Sequence, residues 1–114
     1  MSDSDESLDV ATLDELKAIL EEGLEELLDE YLDDTSKQLS SLRSAENDIS
    51  VIESIAHTLK GSSGNLGING VYQLCAVLEQ QAGADNVVDI AASFSAIEAE
   101  FDRAKLALAT YMAG

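Results

Sequence analysis

Asp48-Ile49-Ser50-Val51-Ile52-Glu53-Ser54-Ile55-Ala56-His57-Thr58-Leu59-Lys60-Gly61-Ser62-Ser63-Gly64-Asn65-Leu66-Gly67 is the stretch on which the fold turns. Asp48 is an N-cap residue type and Gly67 a helix-ending one, so the stretch predicts a helix over Ile49 to Leu66 with Gly67 at C′. On a wheel centred on His57, the residues Ile52, Ile55, Leu59 and Leu66 fall within about 40° of the opposite pole, a core-facing stripe. Ser50, Glu53, Ser54, Lys60, Gly61 and Gly64 share the His57 side, within about 60° of it. This is a helix with one apolar stripe and one polar face, and no strand pattern competes with it.

The same period runs outward in both directions. Toward the C-terminus, Asn69 can cap a fourth helix in which Val71, Leu74, Cys75 and Leu78 share a face and which Gly83 closes. Asp85 or Asn86 then caps a long last helix with Ile90, Phe94, Ile97, Phe101, Ala104 and Leu108 in steps of four and three, the seam of a bundle helix. Toward the N-terminus, Leu24, Leu27, Leu28, Tyr31, Leu32, Leu39 and Leu42 make the stripe of a second helix that runs into the polar stretch Ser44 to Asn47. Before it, Thr12-Leu13-Asp14-Glu15 forms a capping box for a short first helix bearing Leu13, Leu16, Ile19 and Leu20, with Gly23 as its break. Residues 1–11 are expected to be a flexible acidic tail and residues 12–114 a single domain. Short loops place successive helices antiparallel, so the expected fold is all-α: an up-down antiparallel four-helix bundle with a short additional N-terminal helix.

Composition narrows the function. The 114 residues include 23 Asp or Glu against 6 Lys or Arg, a net charge of −17, which excludes sequence-independent binding to nucleic acid or to an anionic membrane surface. Fourteen of those carboxylates lie in the first 34 residues, where Lys17 is the lone cation. The absence of proline argues against the many turns of a sandwich or barrel. With Cys75 as its only cysteine, the chain forms no internal disulfide, and Cys75 reads as core. The acidic N-terminus has no apolar segment of signal-peptide type, and the expected location is the cytoplasm.

His57, the single histidine, points away from the core stripe. Two glycines, Gly61 and Gly64, stand at i+4 and i+7 on its face, although each costs a helix roughly 1 kcal/mol relative to alanine. Lys60 places a cation one turn away, and no carboxylate occurs between Ser54 and Leu78. An exposed imidazole cleared of neighbouring bulk, in the longest acid-free window of an acidic chain, is suited to an anion and to the close approach of something large. Glu53 reads as an i,i+4 partner of His57. The spacing of Gly61, Gly64, Gly67 and Gly70 is not a phosphate-binding loop, because no strand precedes it and no Gly-Lys-Ser/Thr ends it.

The element from His57 to Gly67 resembles the signature of histidine-containing phosphotransfer (Hpt) domains, His-x-Leu-Lys-Gly-Ser-Ser/Ala-x-x-Leu-Gly, and every fixed position is present. The resemblance extends through Leu74-Cys75-x-x-Leu78-Glu79 and covers residues 12–112. It implies that His57 accepts a phosphoryl group at Nε2 from the phosphoaspartate of a response-regulator receiver domain and passes it to another receiver, downstream of a hybrid sensor histidine kinase. It further implies that Lys60 compensates the phosphoryl charge, that Glu79 orients the imidazole through Nδ1, and that Glu53, Ser54, Gly61 and Gly64 lie where the receiver docks. The chain would be a monomeric phosphoryl carrier, not an enzyme, with no cofactor of its own; Mg²⁺ belongs to the receiver.

Other classes fare worse. A di-metal carboxylate bundle needs paired Glu-x-x-His elements, which one histidine cannot supply. A nucleophilic hydrolase needs an activated Ser or Cys beside a base. The remaining alternative is an acidic helical adapter or nucleic-acid mimic that binds a basic protein without chemistry.

Overall fold

The computed structural model describes residues 7–45, 48–84 and 89–114. Five helices account for nearly all of them: α1 (Val10–Leu20), α2 (Gly23–Ser44), α3 (Ile49–Asn65), α4 (Asn69–Gly83) and α5 (Ile90–Ala113), with no strand among the described residues. Helix α2 packs on α3, α3 on α4, α4 on α5 and α5 back on α2, while α1 lies against α2. No helix among the described residues is long and apolar enough to cross a membrane.

The apolar stripes meet at the centre of this ring. Leu24, Leu28 and Leu42 of α2, Ile52 and Leu59 of α3, Val71, Cys75 and Leu78 of α4, and Ile97, Phe101 and Leu108 of α5 are buried. Burial holds the Cys75 thiol un-ionised, its pKa pushed up to about 12, so it serves packing. A polar link through the core joins Tyr31 of α2 to Ser63 of α3 at 2.8 Å, with Tyr31 edge-on to Phe101. A small residue at 63 lets the phenol reach a partner it would otherwise lack when buried.

Helix α3 begins and ends as its sequence predicts. The Asp48 side chain accepts from the Val51 N–H, and at the other end Ile68 N–H reaches Ser63 C=O while Gly67 N–H reaches Gly64 C=O. That pair of bonds is a Schellman motif, and it needs the left-handed backbone that Gly67 adopts at φ +72°.

Four terminus assignments differ from expectation. Helix α1 is capped by Asp9, not Thr12: Asp9 accepts from the Thr12 N–H and Oγ1, and Glu15 makes no capping contact among the described residues. Leu8 precedes the cap and is buried with Leu13, the two positions of a hydrophobic staple. The expected tail through residue 11 therefore gives way to packed structure at Ser7, whose hydroxyl donates to Glu100 and whose neighbour Asp9 donates its N–H to Gly67 C=O. The break after α1 falls at Glu21, with φ +52°, and Gly23 already opens α2. Asn69 is the first residue of α4 and makes no cap; Ile68 occupies that position. Asp85 and Asn86 lie outside the described residues, and α5 is capped by Asp89, which accepts from the Ala92 N–H.

The apolar side of α1 is also less buried than its pattern suggests. Leu13 is enclosed, but Ile19 is 75% exposed and Leu20 38% exposed, although α1 also reaches α5 through the Asp14–Tyr111 hydrogen bond. Gly70 lies in the first turn of α4, where the buried Glu100 carboxylate occupies the space a Cβ would need. Glu100 also takes two bonds from Arg103, at 2.7 and 2.8 Å.

Candidate functional site

The α3–α4 face is built as a ladder. Glu53 meets Gly83, His57 and Lys60 meet Glu79, and Gly64 meets Tyr72, so positions descend on α4 as they rise on α3. The two helices are therefore antiparallel neighbours, and the tight turn at Gly67 brings them together.

His57 stands out from this ladder with 69% of its side chain exposed. Its Nδ1 lies 2.7 Å from Glu79 Oε2, and the other oxygen of the same carboxylate lies 2.6 Å from Lys60 Nζ. Glu79 is the most enclosed of the three, Lys60 half-buried along its stem. The hydrogen bond from Lys60, and after it that from His57, holds the Glu79 carboxyl below its ordinary pKa, while the same bond raises the Lys60 ammonium above its own. An ionised carboxylate only accepts, so Nδ1 carries the hydrogen of this bond and Nε2 is the ring nitrogen left without it.

The remaining residues singled out in the sequence separate into distinct environments. Around Gly61 a Cβ would meet nothing within 4 Å, so the space beside His57 is open. Gly64 is different: a Cβ there would sit 3.0 Å from the Tyr72 ring, which lies over the glycine and remains 39% exposed. Gly64 is the seat of an aromatic side chain and not open ground. Ser54 is exposed on the same face. Glu53 is not the partner of His57; its carboxylate lies over the bare Cα of Gly83, 2.8 Å from where a Cβ would stand, because α4 offers space there and the imidazole is engaged by Glu79.

Tyr72 is the residue that the sequence reading passes over. A wheel centred on Glu79 places it within about 20° on α4, so the signal was present but only after Glu79 is chosen as the pole. The Lys60–Glu79 pair was likewise missed, since it joins two helices across 19 positions of sequence.

A family model described as the Hpt domain matches residues 26–107. Histidine-containing phosphotransfer protein B (HptB) from Pseudomonas aeruginosa PAO1 has a crystal structure similar to this chain, with TM-score 0.86 and 27% identity over 95% of this chain and 96% of that one. No curated protein matches at a significant level. An antiparallel helix pair presenting one exposed histidine, in a chain matched by the family model over well more than half its length, leads to a single assignment: the chain belongs to the family of histidine-containing phosphotransfer (Hpt) domains, with a histidine-phosphotransfer role in a phosphorelay.

Proposed function

We propose that His57 is the phosphoacceptor, taking a phosphoryl group at Nε2 from a receiver-domain phosphoaspartate and delivering it to a second receiver. The observation that carries this reading is the exposed imidazole with Nδ1 bound to Glu79, which leaves Nε2 free to attack. Lys60 lies one turn from His57 and supplies positive charge near the incoming group. Gly61 leaves room for the partner beside the nucleophile. Phosphoryl transfer depends on positioning and charge neutralisation, and the receiver brings its Mg²⁺ and most of the catalytic groups to a carrier that is not itself an enzyme.

The wider setting belongs to the same proposal. The helices form an up-down antiparallel four-helix bundle with a short additional N-terminal helix. The chain acts as a monomer in the cytoplasm, between a hybrid sensor histidine kinase and its receivers, with Ser54, Gly61 and the Tyr72–Gly64 step within the receiver's footprint.

Incubating wild-type protein and His57→Gln with a phosphorylated receiver domain tests the assignment. Wild type should gain acid-labile phosphate and His57→Gln none, with helical content unchanged because residue 57 faces solvent. Phosphate on the His57→Gln protein overturns the reading, and no phosphate on wild type with any receiver favours an adapter.

A further inference from the structure

We propose that Tyr72 is a specificity-determining residue: its exposed ring, seated on Gly64, is the anchor by which the chain selects among receiver domains, and it takes an aliphatic side chain of the receiver. This rests on His57 being the phosphoacceptor, because Tyr72 lies on the face that presents His57.

The five aromatic rings of the chain stand in different surroundings. Tyr31 is buried, edge-on to Phe101 and bonded to Ser63. Lys105 lies over Phe101, Arg43 over Phe94 and Lys17 over Tyr111, whose hydroxyl donates to Asp14. Tyr72 alone has no hydrogen bond, covering cation or second ring among the described residues, and 39% of it is exposed. A tyrosine ring offers a partner large apolar area with little side-chain freedom to lose, which suits it to anchor an interface.

Gly64 fixes that ring in place. The Cδ1 and Cε1 atoms lie 3.0 and 3.2 Å from where a Cβ of residue 64 would stand, so one edge of the ring settles against the bare backbone of α3. A glycine inside a helix is unfavourable for the helix, and here it stands where the ring rests. Residue 64 is seven positions beyond His57, about 10 Å along the axis and within about 20° of the same face. A globular domain that brings its phosphoaspartate to Nε2 extends over that distance in any docking of ordinary area.

The surroundings select the contact. Lys60 lies between the two positions on α3, with its ammonium tied to Glu79 at 2.6 Å and Tyr72 within electrostatic reach of it. That ammonium disfavours a second cation over the neighbouring ring, and because it is already paired it offers little to a carboxylate. An aliphatic side chain meets neither obstacle and removes apolar ring surface from water. All receivers bring the same phosphoaspartate to His57, so discrimination falls to contacts away from the reacting atoms.

Wild type, Tyr72→Ala and Tyr72→Phe are loaded with phosphoramidate, repurified and mixed with each of a panel of purified receiver domains, and transfer is followed against receiver concentration. The quantity read is the ratio of transfer efficiency for the best receiver to that for the others, in which any loss of active protein cancels. Tyr72→Ala should lower that ratio by about tenfold, through a higher half-saturating concentration of the best receiver, and Tyr72→Phe should keep it within about twofold. An unchanged ratio in Tyr72→Ala overturns the proposal, as does an equal loss with every receiver, which would make Tyr72 a general contact. A ratio lost as fully in Tyr72→Phe as in Tyr72→Ala overturns the aliphatic contact, since the receiver would then be reading the hydroxyl. Each of these results leaves the phosphoacceptor reading standing. A wild-type chain that takes up no acid-labile phosphate overturns both.

Discussion

Four glycines, Gly61, Gly64, Gly67 and Gly70, recur at intervals of three, yet the two halves of this run serve opposite ends. Around Gly67 and Gly70 the missing side chains are filled by the protein itself. Asp9 and Thr12 crowd Gly67, and the Glu100 carboxylate occupies the Cβ space of Gly70. Around Gly61 nothing of the protein enters, and Gly64 is covered only by a partly exposed tyrosine. Identical residues at identical spacing thus mark a closed joint and an open face. What distinguishes them is the direction each Cα faces, inward to the N-terminal strap and α5 or outward beside His57.

That contrast can be broken most forcefully at Gly70. Gly70→Ala would force the Glu100 carboxylate from its place, together with the bonds it accepts from Ser7 and Arg103. We expect a loss of about 1–3 kcal/mol, read as a lowered denaturation midpoint with unchanged slope. A variant as stable as wild type would mean that the joint is loose and the contrast unreal.

Gly64 sits between the two cases and sharpens the boundary. Alanine there gains helix propensity of up to about 1 kcal/mol, offset by displacing the Tyr72 ring it would meet at 3.0 Å. Gly64→Ala alone should therefore change stability little, and the same substitution in a Tyr72→Ala background should recover the full gain of about 1 kcal/mol. Equal effects in both backgrounds would show that the ring does not rest on Gly64.

How much of this was legible in the sequence follows from the range of each interaction. The limits of α3 were readable because Asp48 and Gly67 act within one turn of their own positions. The start of α1 was not, because Asp9 and Thr12 are both capping residue types, and the choice is made by Leu8 entering the core and Asp9 bonding Gly67, contacts nearly sixty positions apart. The break at Glu21 is a non-glycine residue in left-handed backbone, a case that residue preferences point away from. At the site, the outward imidazole was visible from a single wheel. Which carboxylate serves it, Glu79 across the helix pair and not Glu53 one turn away, depends on how α4 lies against α3. The emptiness at Gly61 and the occupancy at Gly64 look alike in sequence because Tyr72 comes from the other helix.

The central claim is that the space beside His57 is kept clear for a partner and not for the fold. The most direct measurement is the rate of phosphoryl transfer from one phosphorylated receiver to Gly61→Gln, with the melting temperature recorded alongside. Glutamine there meets no atom of the protein within 4 Å at its Cβ and has the better helix propensity, so stability should hold or rise by up to about 1 kcal/mol. Transfer should fall by at least about tenfold, since a displacement of roughly 1 Å between reacting groups can cost that much or more. Transfer at the wild-type rate would contradict the account, since it would show that nothing docks over the open face.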